Sequence, residues 1–294
     1  MLATPKAEIT ITDQLVRKLI NSQIHELDNL PLKYMDAGWD NVMYQLGDDY
    51  LIRLPRRELG AKCMSNEQVY LDYLPDELPI EIPRVIYAGN PEGDYPWQWS
   101  VLPYFPGKAA DIASADINQA ERLMKFLKCI HKPANGVAPQ NEYRGVDLAE
   151  RTDDIETKLS NIKTYLAEKY STIRVLWYKA LAANPNEEDN WIHGDLHPRN
   201  ILVDNGKISA IIDWGDITSG DIATDLASIW LLFDDRAARE YAVSAYGINK
   251  DLLNRTIGWV IYFATVFYEN GIADNPRHLK IGEQAFTRLI EDFG

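Results

Sequence analysis

His193-Gly194-Asp195-Leu196-His197-Pro198-Arg199-Asn200 runs into Ile201-Leu202-Val203, turns at Asp204-Asn205-Gly206, and returns through Ile208 to Ile212 into Asp213-Trp214-Gly215-Asp216. Two β-branched apolar runs around an Asn-Gly turn predict a β-hairpin. A hairpin brings its two ends together, so Asp195 and Asn200 before the first strand should meet Asp213 after the second. Two carboxylates and an amide oxygen at one end of a ribbon suit magnesium-dependent phosphoryl transfer. Magnesium takes hard oxygen ligands and keeps several waters, so one carboxylate and one amide suffice. The other carboxylate is then free to orient a hydroxyl and accept its proton. The rival reading of His193-x-Asp195-x-His197 is a zinc hydrolase cluster. Such clusters recruit further histidines, and His25, His131 and His278 stand in no second His/Asp group.

H-G-D-L-H-x-x-N followed by I-D-W-G-D resembles the aminoglycoside phosphotransferase family, antibiotic and small-molecule kinases with a protein-kinase-like fold. The likeness begins near Gly38-Trp39-Asp40-Asn41, passes through Leu51 to Arg57 and continues through Gly220 to Trp230. It implies an α+β, two-lobed fold, with a small N-lobe built on an antiparallel sheet and a larger, mainly helical C-lobe. By this resemblance Asp195 is the general base, and Asn200 and Asp213 hold Mg2+ between the β- and γ-phosphates of ATP or GTP. Arg53 takes the place of the protein-kinase lysine on the third strand, with Glu67 on the next helix as its partner. Asp40 and Asn41 fall in the loop that covers the triphosphate. The carbonyl of Leu102 and the amide of Tyr104 are expected to face the base, because Pro103 has no N–H. Asp225 matches the buried aspartate that anchors the catalytic loop.

Composition agrees with a soluble globular protein. A chain of 294 residues can bury a large core, and 46% hydrophobic with 25% charged residues is ordinary for a globular protein. The net charge of −14 excludes the basic face of a nucleic-acid binder. Cys63 and Cys129 lie far apart and form no disulfide or metal motif, which suits reduced thiols in the cytoplasm. Met1 to Lys6 lacks the apolar segment of a signal peptide, and the longest apolar run, Ile257 to Phe267, is too short to span a bilayer.

Periodicity places the lobes. Asp13 is read as the cap of a helix ending before Leu30-Pro31. Val42 to Leu46 and Tyr50 to Leu54 read as strands around Gly47-Asp48-Asp49, Leu59 to Leu74 as a helix, and Ile82 to Ile86 and Trp97 to Leu102 as further strands. After Pro103-Tyr104-Phe105-Pro106-Gly107 the pattern turns helical. Helices are predicted at Ile117 to Ile130, Ile155 to Ala182, Ile222 to Phe233, Arg236 to Tyr246 and Asp251 to Tyr268, with only the catalytic hairpin between them. The boundary therefore divides 1–102, the nucleotide lobe, from 103–294, the catalytic and substrate lobe.

The partners expected are a nucleoside triphosphate and a small-molecule hydroxyl acceptor, with neither nucleic acid nor membrane. Asp216, Asp235 and Glu269, beside Tyr262, Phe263, Phe267 and Tyr268, suggest a cationic acceptor such as an aminoglycoside or amino-sugar macrolide. The alternatives are a metabolic kinase of an amino-alcohol or sugar, and a pseudokinase-like nucleotide-binding regulator. Retention of Asp195, Asn200 and Asp213 together argues against the regulator.

Overall fold

The computed structural model describes residues 6–38 and 40–294. Trp39 of the triphosphate loop and the start of the N-terminal segment, residues 1–5, lie outside the described residues. Helix α1 (Asp13–Gln23) comes first. Its cap is Thr12 rather than Asp13, with Thr12 Oγ1 accepting from the Leu15 amide at 3.3 Å. Strands β1 (Leu32–Ala37), β2 (Asn41–Leu46) and β3 (Tyr50–Pro55) precede α2 (Glu58–Tyr70); β4 (Tyr87–Gly89) and β5 (Trp99–Pro103) complete an antiparallel sheet of order β1-β2-β3-β5-β4.

Two departures from the sequence reading have local causes. Strand β1 was not expected, because Lys33, Tyr34, Met35 and Asp36 are all exposed and show no apolar alternation. It is an edge strand whose register slips between Tyr34 and Asp36. The strand expected at Ile82 to Ile86 forms instead at Tyr87–Gly89. Pro83 supplies no N–H for a ladder there.

Past the linker, β6 (Lys108–Ala109) joins the hairpin of β8 (Ile201–Asp204) and β9 (Lys207–Ile211), while β7 (Asn190–Ile192) pairs with β10 (Thr218–Gly220). These short strands beyond the hairpin carried no sequence signal. Helix α3 (Gln119–Ile130) is where periodicity put it. The 155–182 pattern is divided into α4 (Thr152–Asn161), α5 (Lys163–Leu166) and α6 (Lys169–Leu181), with a break at Ala167, whose φ is 49°. The 222–233 pattern divides into α7 (Ala223–Leu226) and α8 (Ser228–Leu232). Then come α9 (Arg236–Tyr246), α10 (Lys250–Ala273) and α11 (Pro276–Phe293), the last unforeseen.

Helix α10 is apolar on every side over Ile257–Ala264, which requires cover all round. Helices α6 and α11 pack against it, and α11 contributes Ile281, Ala285, Phe286 and Leu289 to the core. The N-terminal core gathers Val16, Leu19 and Ile20 of α1 under Tyr44, Ile52, Trp99 and Val101 of the sheet. Leu71, Leu74, Ile80 and Ile82 join the C-terminal core instead, although they precede the linker. Among the described residues no helix is long and apolar enough to cross a membrane.

Candidate active site

The hairpin is closed by a two-residue turn. Asp204 pairs with Lys207, and Asn205 and Gly206 take φ of 47° and 78°, the left-handed pair that Asn-Gly adopts readily. The loop before it is tied down by Asp225, whose carboxylate accepts the amides of His193 at 2.8 Å and Gly194 at 2.9 Å. His131 Nε2 lies 3.2 Å from the same carboxylate. His193 spends both ring nitrogens on the loop: Nδ1 accepts from the Asp195 amide at 3.2 Å, and Nε2 donates to the Ile212 carbonyl at 3.0 Å. It has no lone pair left for zinc. The Ile212 amide in turn donates to the Asn200 carbonyl at 2.9 Å, so Asn200 and the segment entering Asp213 lie side by side.

Asp195 is surrounded by donors. Arg144 Nη2 reaches Oδ1 at 2.7 Å, and His197 Nε2 stands 3.2 Å from Oδ2. Burial alone would raise the Asp195 pKa, but Arg144 and then His197 hold the carboxyl well below the usual range. Sequence reasoning missed Arg144. It lies in the irregular stretch between α3 and α4, where its backbone amide donates to Asn141 Oδ1 at 3.1 Å. Its guanidinium also donates to the Tyr262 hydroxyl at 3.2 Å and lies over the Phe263 ring, 5.0 Å from the centroid. Arg199 is turned away from Asp195 toward His278.

Asp213 takes φ of 64°, which turns its half-exposed carboxylate toward the N-lobe. Arg53 donates to it from Nη2 at 2.6 Å and to Glu67 from Nη1 at 2.6 Å. Glu67 is fully buried and also accepts the Trp214 amide at 3.2 Å. Burial pushes the Glu67 carboxyl up while Arg53 opposes it. Burial would likewise loosen the Arg53 proton, but Glu67 and then Asp213 more than reverse this. Asn41 completes the cluster when its amide oxygen faces the guanidinium, accepting from Nε at 3.2 Å and Nη2 at 3.1 Å. Helix α2 can dock here because residue 215 is glycine; a Cβ there would come 2.7 Å from Cβ of Cys63. Burial and then Asp216 push the Cys63 thiol up to about 12, so it is inert.

The oxygens left over fit magnesium. Asn200 donates from Nδ2 to the Asp195 carbonyl at 3.0 Å, and its Oδ1 accepts no hydrogen bond among the described residues. Asp213 Oδ2 is likewise uncommitted among the described residues. No set of three or more His, Cys, Asp or Glu side chains is grouped to hold a metal among the described residues.

Several expected contacts are committed elsewhere. The Tyr104 amide donates to the Asp49 carbonyl at 2.8 Å, and Leu102 faces Leu51 in the same ladder. Residues two apart on a strand point their backbone groups to the same side, so both are spent on β3. Asp216 accepts from Asn141 at 2.9 Å, and burial and then the Asp195 carboxylate push its carboxyl up. Asp235 caps α9 by accepting the Ala238 amide at 3.0 Å. Glu269 accepts from Asn161 at 2.8 Å and lies 3.7 Å from Lys158. The aromatic rings are also occupied. Tyr262 and Phe263 carry Arg144, Phe267 packs on His197 and His278, and Tyr268 packs on Phe286.

Comparison with known proteins gives a consistent result. Residues 32–255 match the model of the phosphotransferase enzyme family known as APH. The aminoglycoside 3'-phosphotransferase of Escherichia coli is 23% identical over 204 residues, covering 66% of this chain and 73% of the relative. A thiamine kinase of Salmonella paratyphi B is 33% identical over 109 residues, 34% of this chain and 36% of the relative. The GDP complex of wild-type aminoglycoside 2'-phosphotransferase-IIIa superposes with a TM-score of 0.69 at 17% identity, over 96% of this chain and 100% of that one.

Proposed function

The chain belongs to the phosphotransferase enzyme family, and we propose that it moves the γ-phosphoryl group of ATP or GTP to a hydroxyl of a small molecule. The observation that carries this reading is the join between lobes: Asp213, at the end of the catalytic hairpin, is bonded to Arg53, which is bonded to Glu67. That join sets a cation and an exposed carboxylate beside the loop of Asp195 and Asn200. In this reading residues 1–102 hold the nucleotide and residues 103–294 supply the catalytic and acceptor groups of a cytoplasmic enzyme.

Asn200 Oδ1 and Asp213 Oδ2 would hold Mg2+. The ion, when bound, neutralises charge on the phosphate oxygens. Arg53 supplies the cation that attracts the phosphate oxygens, its guanidinium nitrogens being shared among Glu67, Asp213 and Asn41. The base edge falls to the Pro103 carbonyl and the Phe105 amide, one residue beyond the sequence expectation. The Phe105 amide donates to no group among the described residues. Against burial, Arg144 and then His197 favour the ionised form of Asp195. The carboxylate accepts a hydrogen bond from the acceptor hydroxyl and fixes its line of approach. It takes the proton as the new P–O bond forms and the γ-phosphorus bond to the leaving ADP or GDP breaks.

The test is release of ADP or GDP with Mg2+ across a panel of hydroxyl compounds, comparing the wild type with Asp195→Ala. Acceptor-dependent release by the wild type alone supports the reading. Equal release by both proteins rejects it.

A further inference from the structure

The side chain that touches Asp195 most closely is a cation, Arg144, which is not what an amine-bearing acceptor needs. An amine is held by free carboxylates and open aromatic faces. Here Asp216 gives one oxygen to Asn141 and stands as a counter-charge to Arg144, Glu269 is held by Asn161 and Lys158, and Asp235 caps a helix. The rings of Tyr262 and Phe263 already carry a cation, the guanidinium of Arg144. That guanidinium touches Asp195 at 2.7 Å, and both side chains keep an exposed part, 17% for Arg144 and 21% for Asp195. Its Nη1 is given to a neutral hydroxyl, that of Tyr262, and its Nε makes no hydrogen bond among the described residues.

We propose that Arg144 sets acceptor specificity, by selecting a hydroxyl compound that carries a carboxylate within two or three bonds of the reacting hydroxyl. The inference rests on Asp195 holding that hydroxyl. A hydroxyl hydrogen-bonded to Asp195 brings its neighbouring substituents close to the guanidinium that touches the same carboxylate, where unit charges interact more strongly than in bulk water. A positive substituent there meets a fixed like charge. A carboxylate meets the unused Nε–H and a hydrogen of the η nitrogen beside it, a fork suited to two oxygens. The aromatic bed fixes the fork before the acceptor arrives, so little ordering is lost on binding.

The experiment is calorimetric titration, with Mg2+ and a non-hydrolysable ATP or GTP analogue present, using ligands matched in shape and differing in charge. The sets are gluconate, sorbitol and glucamine; glucuronate, glucose and glucosamine; and glycerate and glycerol. In the wild type the carboxylate should bind at least tenfold more tightly than its neutral match in one set or more, with the amine weakest. Arg144→Gln should erase that preference and Arg144→Lys should retain part of it, with thermal midpoints confirming that each variant is folded. Tightest binding of an amine, no carboxylate binding at tens of millimolar, or a preference that survives in Arg144→Gln would each overturn the proposal. Failure of the base assignment reads differently. A carboxylate held through Arg144 but phosphorylated equally well by Asp195→Ala would remove Asp195 as base and with it the placement of the carboxylate relative to the reacting hydroxyl. A charge preference lost in Arg144→Gln would still assign the carboxylate contact to Arg144.

Discussion

Nη2 of Arg53 lies 2.6 Å from Oδ1 of Asp213, while Nη1 of the same guanidinium holds Glu67 at 2.6 Å. One planar group thereby fixes helix α2, strand β3 and the end of the catalytic hairpin together. An ammonium on a flexible stem can supply the charge without holding both carboxylates in one plane. Arg53→Lys is expected to lower kcat/KM for the nucleotide about tenfold, and Arg53→Ala at least a hundredfold. Glu67→Ala should follow Arg53→Ala, because it leaves a buried guanidinium short of one counter-charge. Steady-state kinetics with varied nucleotide measures all three, and wild-type values for Glu67→Ala would show that the pair does not matter.

Asp195 and Asp213 should separate kinetically. Asp195 faces the acceptor, so Asp195→Ala is expected to lower kcat by roughly 10²–10⁴ while leaving nucleotide affinity nearly unchanged. Asp213→Ala removes the outer partner of Arg53 and, on the proposed reading, a metal oxygen, so Mg-nucleotide affinity should fall along with the rate. Fluorescent-nucleotide titration at fixed Mg2+ distinguishes them. Unchanged affinity in Asp213→Ala would refute its role as a metal ligand.

What the sequence revealed of this site, and what it concealed, follows from how local each contact is. Asp195, Asn200 and Asp213 were legible because one hairpin with an Asn-Gly turn determines their convergence. Arg53 and Glu67 were legible through the family resemblance, which matches them to the lysine and glutamate of successive strand and helix in protein kinases, and the structure joins them at 2.6 Å. Arg144 was not, since it lies in an irregular loop 51 positions before its partner, with no periodicity to give its direction. The backbone groups of Leu102 and Tyr104 are spent on the adjoining backbone, because an apolar run such as Trp97 to Leu102 does not specify which backbone groups its ladder consumes. The aromatic residues of α10 were read as rings beside a cationic acceptor. Only the packed structure shows that Arg144, His197, His278 and Phe286 already occupy them.

The Asp225 carboxylate is predicted to control the shape of the catalytic loop. It accepts two successive backbone amides, one on each oxygen, and is completely buried. Asparagine can accept only one of them and would aim an N–H at the other, leaving a buried donor without an acceptor. Hydrogen bonds to a charged group contribute about 1.5–3 kcal/mol each. Asp225→Asn should therefore lose about 2 kcal/mol of stability in urea, and kcat should fall more than tenfold as Asp195 loses its fixed position. A variant with normal kcat would show that the loop holds its shape without this anchor.

The last prediction concerns pH and the packing of α9 against α11. Arg239 is fully buried and bonds Asp292 through Nε at 2.7 Å and Nη2 at 2.7 Å, with its Nη1 on the carbonyls of Phe233 and Asp234. Trp230 Nε1 adds a bond to Asp292 at 2.9 Å. Burial opposes ionisation of Asp292, but Arg239 and Trp230 prevail and hold its carboxyl below the ordinary range. A carboxyl depressed in the folded state adds stability above its unfolded pKa, about 3.9, and loses it as the pH falls through the folded value. Removing one partner from such a buried pair costs about 3–5 kcal/mol. Asp292→Asn should accordingly be less stable than the wild type by about 3 kcal/mol near pH 7. The difference should narrow steadily below about pH 4, because only the wild type then takes up the proton. Chemical denaturation across this range measures both, and a gap that stays constant as the pH falls would show that the Asp292 charge contributes nothing to the packing of these helices.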